Sequence, residues 1–177
     1  LSLFILTSVI LQTSVAYAGV EDIRLVSKSN ADVFGDDASG DGILAIDGDF
    51  IVFSSNATNI VGDDTNAVGD IFVYDIQGDS VERVSVDDLG NEGDDASFDA
   101  DISADGRYIV FTSSATNLVA GDTNGFDDIF LYDRNTDTIE LISLDASDGL
   151  ANDSSEYPSI SSNGRYIVFA SSATDLV

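Results

Sequence analysis

The chain has 177 residues with 44% hydrophobic content, so it carries enough Ile, Val, Phe and Tyr to fold and is not an acidic chain held open by charge. Its 33 acidic residues against 6 basic ones give a net charge of -27, which excludes the basic surface that a nucleic-acid partner needs. It contains no His and no Cys, which excludes a Ser-His-Asp triad, a Cys nucleophile and a His-ligated zinc site from these residues.

Residues 1–18 carry no charged side chain and close on Ala16-Tyr17-Ala18. An apolar run followed by a small-x-small ending reads as a cleaved secretory signal peptide, with the mature chain starting near Gly19. A membrane span needs about 20 apolar residues, and this run is interrupted by Ser2, Thr7, Ser8, Gln12, Thr13 and Ser14. The expectation is a secreted or periplasmic protein with no membrane span after cleavage. A charged leading segment and an initiator Met are lacking, so the sequence is expected to start inside a longer product.

Beyond residue 18 a repeat organises everything. Gly48-Asp49-Phe50-Ile51-Val52-Phe53 recurs as Gly106-Arg107-Tyr108-Ile109-Val110-Phe111 and as Gly164-Arg165-Tyr166-Ile167-Val168-Phe169, with the same spacing each time. That spacing also links Asp70-Ile71-Phe72-Val73-Tyr74-Asp75 to Asp128-Ile129-Phe130-Leu131-Tyr132-Asp133. Ile23 to Ser27, Val81 to Ser85 and Ile139 to Ser143 fall into the same register. Self-similarity at this period indicates stacked supersecondary units.

In chain order, residues 19–47 hold a lone copy of a fourth strand, Ile23 to Ser27, and then the first strand of the next unit. Residues 48–105 are repeat 1, 106–163 repeat 2 and 164–177 a truncated repeat 3. Within a unit, taking 99–145, β-type runs end at Ile102-Ser103 and cover Tyr108 to Ser113, Ile129 to Tyr132 and Ile139 to Leu144. The first two are joined by Asp105-Gly106, with Asp47-Gly48 and Asn163-Gly164 in the other copies, and Asx-Gly suits a tight hairpin. Runs such as Tyr-Ile-Val-Phe are apolar on both faces, as a sheet covered by two neighbours requires, and no helical period persists after residue 18. The expected fold is all-β, a β-propeller fragment of four-stranded antiparallel blades with a 58-residue repeat. A propeller needs about four to eight blades, so residues 19–177 are expected not to close a ring alone.

Ser103-Ala104-Asp105-Gly106-Arg107-Tyr108-Ile109-Val110-Phe111, followed by Asp128-Ile129-Phe130-Leu131-Tyr132-Asp133, resembles the PD40, or WD40-like, β-propeller repeat of TolB-type bacterial proteins. The resemblance covers nearly everything after residue 18. It implies a propeller fold, and it implies roles ranging from periplasmic scaffold to the propeller domain of a peptidase. The units here are longer than typical PD40 units.

The extra length lies mainly between the second and third strands. There Asp122-Thr123-Asn124-Gly125-Phe126-Asp127-Asp128 matches Asp64-Thr65-Asn66-Ala67-Val68-Gly69-Asp70. Oxygens from Asp64, Asn66 and Asp70, and from Asp122, Asn124 and Asp128, resemble the early ligands of a calcium loop, although calcium wants six to eight oxygens and three side chains need help. The alternative is that these residues cap turns through local hydrogen bonds. Asp133 and Asp75 stand too far along a strand to share the ion, roughly 16 Å from Asp128 and Asp70. The overall acidity fits bound divalent ions or a saline habitat.

A second acidic cluster, Asp36-Asp37, Asp94-Asp95 and Asn152-Asp153, reads as a solvated loop face. Asn56-Ala57-Thr58 and Asn152-Asp153-Ser154 match the glycosylation triplet by chance. Carboxylates that repeat blade by blade argue for structure rather than catalysis, because an active site needs one constellation. The expected function is an exported non-catalytic scaffold or binding module for a protein or surface polymer, with calcium as the candidate cofactor. The rival is the propeller domain of a secreted hydrolase or peptidase whose catalytic domain lies beyond this sequence.

Overall fold

The computed structural model describes the backbone of Leu3–Val9 and Gln12–Ala18 and the whole of residues 23–177, with side chains from Leu25 onward. The described residues form thirteen strands and no helix. β1 (Leu3–Val9), β2 (Gln12–Ala18) and β3 (Ile23–Leu25) make a three-stranded antiparallel sheet. β4 (Ser39–Leu44), β5 (Phe50–Ser55), β6 (Asp70–Asp75) and β7 (Ser80–Arg83) make the first full blade. β8 (Ser97–Ile102), β9 (Tyr108–Ser113), β10 (Asp128–Asp133) and β11 (Thr138–Leu141) make the second, and β12 (Ser155–Ile160) pairs with β13 (Ile167–Ser171).

The strand that reads as lone in the sequence, Ile23–Leu25, is therefore the edge of a sheet, hydrogen-bonded to β2 from Ala16 to Ala18. β2 starts at Gln12, one full period before the start of β6 at Asp70, so it occupies the third-strand place of the repeat. The side chains of the expected signal peptide lie outside the described residues.

Alternation along each strand explains why both faces of a blade are apolar. Ile51, Phe53, Phe72 and Tyr74 pack with Val26 on one face, while Val52, Ile71 and Val73 pack on the other with Ile109, Phe111 and Phe130 of the next blade. Val110 and Ile129 then face Ile160. Phe53 stacks on Phe72 at 5.6 Å between ring centres, and Phe111 on Phe130 at 5.9 Å, one such pair per blade. All these side chains except Ile160 are essentially removed from water.

The Asx-Gly turns do two jobs. In the second blade the Gly106 N–H donates to the Ser103 carbonyl at 3.0 Å, closing a four-residue turn, and Gly106 then takes φ +72°, so the positive angle falls on the glycine. A methyl at Gly106 would meet the Phe50 ring at 2.1 Å, and one at Gly164 would meet the Tyr108 ring at 2.3 Å. Each glycine thus seats the aromatic ring of the preceding blade. Arg134 adds a clamp here, stacking over Phe50 at 4.2 Å and reaching Glu82 of the first blade at 2.7 Å.

The first strand of each unit also carries a bulge at the same position. Its register shifts between Gly40 and Ile43, between Phe98 and Asp101, and between Glu156 and Ser159. Asp41, Asp99 and Tyr157, equivalent residues of the three units, each have φ between +52° and +57° there.

Candidate functional site

The antiparallel order brings the long loops 56–69 and 84–96 to one end of the first blade, and 114–127 and 142–154 to the same end of the second. Buried hydroxyls open them: Ser39 and Ser55 share a hydrogen bond at 2.8 Å, as do Ser97 and Ser113 at 2.9 Å. The clusters expected to be a solvated face are exposed, and they also tie two loops together. Asp36 accepts from the Thr58 N–H at 2.8 Å and hydroxyl at 3.1 Å, and its own N–H donates to Asn59 at 3.0 Å. Asp94 does the same with Thr116 at 2.6 and 2.8 Å and with Asn117 at 2.9 Å. In the third unit the amide and acid trade places: Asn152 accepts from the Thr174 N–H at 2.9 Å, and its N–H donates to Asp175 at 3.2 Å. Asp37, Asp95 and Asp153 act within their own loops, each accepting from the N–H of the residue that follows it, Ala38, Ala96 and Ser154.

Asp70 and Asp128, the first residues of the third strands, are fully buried. The Ser85 hydroxyl donates to Asp70 at 2.6 Å and accepts from the Ile71 N–H at 3.1 Å. Ser143 treats Asp128 and Ile129 alike, at 2.5 and 3.0 Å. The carboxylate therefore locks the end of the third strand to the chain leaving the fourth. Burial pushes the Asp70 carboxyl up to about 6, against the opposing pull of Ser85 and Arg83. Burial also raises Asp128, with Ser143 and Asn124 opposing.

Around Asp70 the first repeat gathers Asp64 and Glu92, whose ligand oxygens all lie within 4.8 Å of one another. That set already holds a cation. The Arg83 guanidinium stands 3.3 Å from Asp70, 3.0 Å from Glu92 and 3.6 Å from Asp63, with its side chain only 4% exposed. Burial pushes Glu92 up, but hydrogen bonds from Thr65 and the charge of Arg83 outweigh it and hold the carboxyl below its usual range. Asn66 is occupied in a turn: its amide donates to the Gly93 carbonyl at 2.7 Å and its oxygen accepts from the Val68 N–H at 3.1 Å.

The second repeat keeps the acids and changes their surroundings. At the equivalent positions, Leu141 stands where Arg83 does, Leu150 where Glu92 does and Gly121 where Asp63 does. Asp122 is 5% exposed, and among the described residues nothing donates to its Oδ1. Burial raises its carboxyl first and the charge of Asp128 raises it further. Asn124 donates to Asp128 at 2.8 Å and accepts from the Phe126 N–H at 3.0 Å. Asp122 lines a cleft of about 570 Å³ together with Val119, Leu141, Leu144 and Leu150.

Of the six residues singled out from the sequence, the structure thus brings Asp64 to Asp70, sets Asp122 near enough to Asp128 to feel its charge, and uses Asn66 and Asn124 as turn caps. Arg83 and Glu92 escaped the sequence reading because they lie outside the matched loop. Their joint replacement by Leu141 and Leu150 at the repeat distance was the available signal. Asp133 sits at the opposite end of the strand, as its spacing implies, paired with Arg107 at 2.7 and 2.9 Å.

No protein-family model matches the chain, and no curated protein matches it. Solved structures do. The putative TolB from Agrobacterium tumefaciens superposes with a TM-score of 0.58 at 20% identity, over 98% of this chain and 51% of that one. TolB from Acinetobacter baumannii superposes at 0.56 and 16% identity, over 96% of this chain and 35% of that one. This chain therefore spans about half the length of the first and about a third of the second. The shared feature is the fold, a TolB-like β-propeller.

Proposed function

We propose that the protein is an exported, non-catalytic β-propeller that serves as a scaffold or binding module in the bacterial envelope or outside the cell. The observation that carries this is the use to which the polar residues are put. Ser39 with Ser55, Asp70 with Ser85, Asp36 with Thr58 and their counterparts in the next repeat all hold loops and strands in place. Side chains spent on framework in every blade leave the chemistry of this stretch to its surfaces. Among the described residues no helix is long and apolar enough to cross a membrane.

Two measurements test the reading. The full-length gene product, tagged at its C-terminus and expressed in a bacterial host, should fractionate outside the cytoplasm, and retention in the cytoplasm overturns export. The whole protein, offered chromogenic ester and peptide substrates, should turn over none above a heat-treated control. Turnover blocked by a serine-directed inhibitor would put a peptidase or esterase in its place.

A further inference from the structure

We propose that the second repeat binds one divalent cation with the size and hardness of calcium between Asp122 and Asp128, at the place that the Arg83 guanidinium fills in the first repeat. The two repeats are parallel experiments on the same rim. In the first, Asp70 is buried and Asp64 half-buried, and a cation from the chain itself stands 3.3 Å from Asp70 and 3.0 Å from Glu92, beside an Asp64 whose Oδ1 also accepts no hydrogen bond. In the second, the carboxylates remain and the arginine is Leu141.

A buried carboxylate pair needs a positive charge or a proton. Among the described residues no Lys or Arg forms an ion pair with Asp122 or Asp128, and Asp122 Oδ1 accepts no hydrogen bond although the residue is only 5% exposed. Asp128 is held from two sides, by Ser143 at 2.5 Å and Asn124 at 2.8 Å, so its position is fixed before any ion arrives. The cleft of about 570 Å³ beside Asp122 gives the ion and its waters a way in. Calcium takes six to eight oxygens at about 2.3–2.6 Å and accepts irregular sets in which water and carbonyls complete two carboxylates, whereas magnesium demands a near-ideal octahedron. In the first repeat Asp64, Asp70 and Glu92 supply a richer set of oxygens, but Arg83 stands among them and repels a second cation.

The test is calorimetric titration of calcium into the full-length protein, stripped with chelator, at fixed ionic strength and with excess magnesium to saturate loose surface sites. The expected result is that Asp122→Asn, nearly the same shape as the parent, loses one bound calcium per chain while its far-ultraviolet dichroism is unchanged. Leu141→Arg, which brings the first repeat's cation to the second, should lose the same equivalent. Asp64→Asn should lose none. Unchanged stoichiometry in Asp122→Asn and Leu141→Arg overturns the proposal, as does loss of the ion in Asp64→Asn alone. A parent protein that takes up no calcium in magnesium also overturns it and leaves Asp122 and Asp128 as a pair sharing a proton.

Discussion

The rim of the first repeat holds Asp64, Asp70 and Glu92 around Arg83, while the rim of the second holds Asp122 and Asp128 beside Leu141 and Leu150. The strands beneath are nearly the same, and Asp70 and Asp128 are each locked by the serine that follows the fourth strand, Ser85 and Ser143. What differs is how charge is compensated: an internal ion pair in one blade and an apolar surround in the other. Two residues changed together, Arg83 with Glu92 into Leu141 with Leu150, which is what a coupled pair requires. Removing the arginine alone strands its partners, and removing the glutamate alone unbalances the arginine.

The largest expected effect breaks that coupling. Arg83→Leu leaves the buried Asp70 and the half-buried Glu92 without their cation and should destabilise the protein by about 3 kcal/mol. Adding Glu92→Leu reproduces the second repeat's pair and should recover much of the loss, because a buried ion pair is often replaceable by well-packed apolar side chains. Urea unfolding of the parent, both single variants and the double variant closes the cycle. A double variant as unstable as the sum of the singles would show that Arg83 and Glu92 are not energetically linked.

This coupling marks how far the sequence could be read. The blade strands were legible because Tyr108 to Ser113 and Asp128 to Asp133 recur intact, and backbone hydrogen bonding follows from runs of that kind. The Asx-Gly turns were legible too, but the reason for Gly106 beyond its angle was not, since the Phe50 ring that rests on it comes from the preceding blade. At the rim, residues inside one loop could be matched by eye, whereas Arg83 approaches from the end of β7 and Glu92 from the following loop. Proximity of that kind depends on how the loops fold back over the sheet, which local spacing does not encode. Asn66 and Asn124 show the converse, good calcium-ligand types whose oxygens are taken up by the Val68 and Phe126 N–H groups.

A smaller effect concerns protons. Asp70 in the fold holds its proton up to about 6, while in the unfolded chain it loses it near the ordinary carboxylate value of 3.8. Between those limits the folded state binds more protons than the unfolded state, so stability falls as pH rises through this window and is flat for this group on either side. The drop amounts to about 2–3 kcal/mol. Asp70→Asn should therefore flatten the fall between pH 4 and pH 6, measured by urea unfolding in chelator. A slope unchanged by Asp70→Asn would show that Arg83 keeps the carboxyl ionised throughout and that the two rims differ even more than their burial suggests.

The smallest expected effect uses the third unit to test the other two. Asp94 and Asn117 clip a loop in the second blade, and Asn152 with Asp175 do so in the third with acid and amide exchanged. The geometry needs an acceptor for the threonine N–H and another for the N–H of the first residue, and either an amide or a carboxylate oxygen serves. Asp94→Asn should then cost about 0.5–1 kcal/mol, the difference between a charge-assisted and a neutral hydrogen bond at an exposed site. Asn117→Asp added to it should recover most of that loss, because the carboxylate then strengthens the other half of the clip. Thermal unfolding of the parent, Asp94→Asn and the double variant measures the recovery. If the double variant is no better than the single, the exchange at Asn152 and Asp175 reflects surroundings peculiar to the third unit, and the clip is not the interchangeable element that its recurrence in every unit implies.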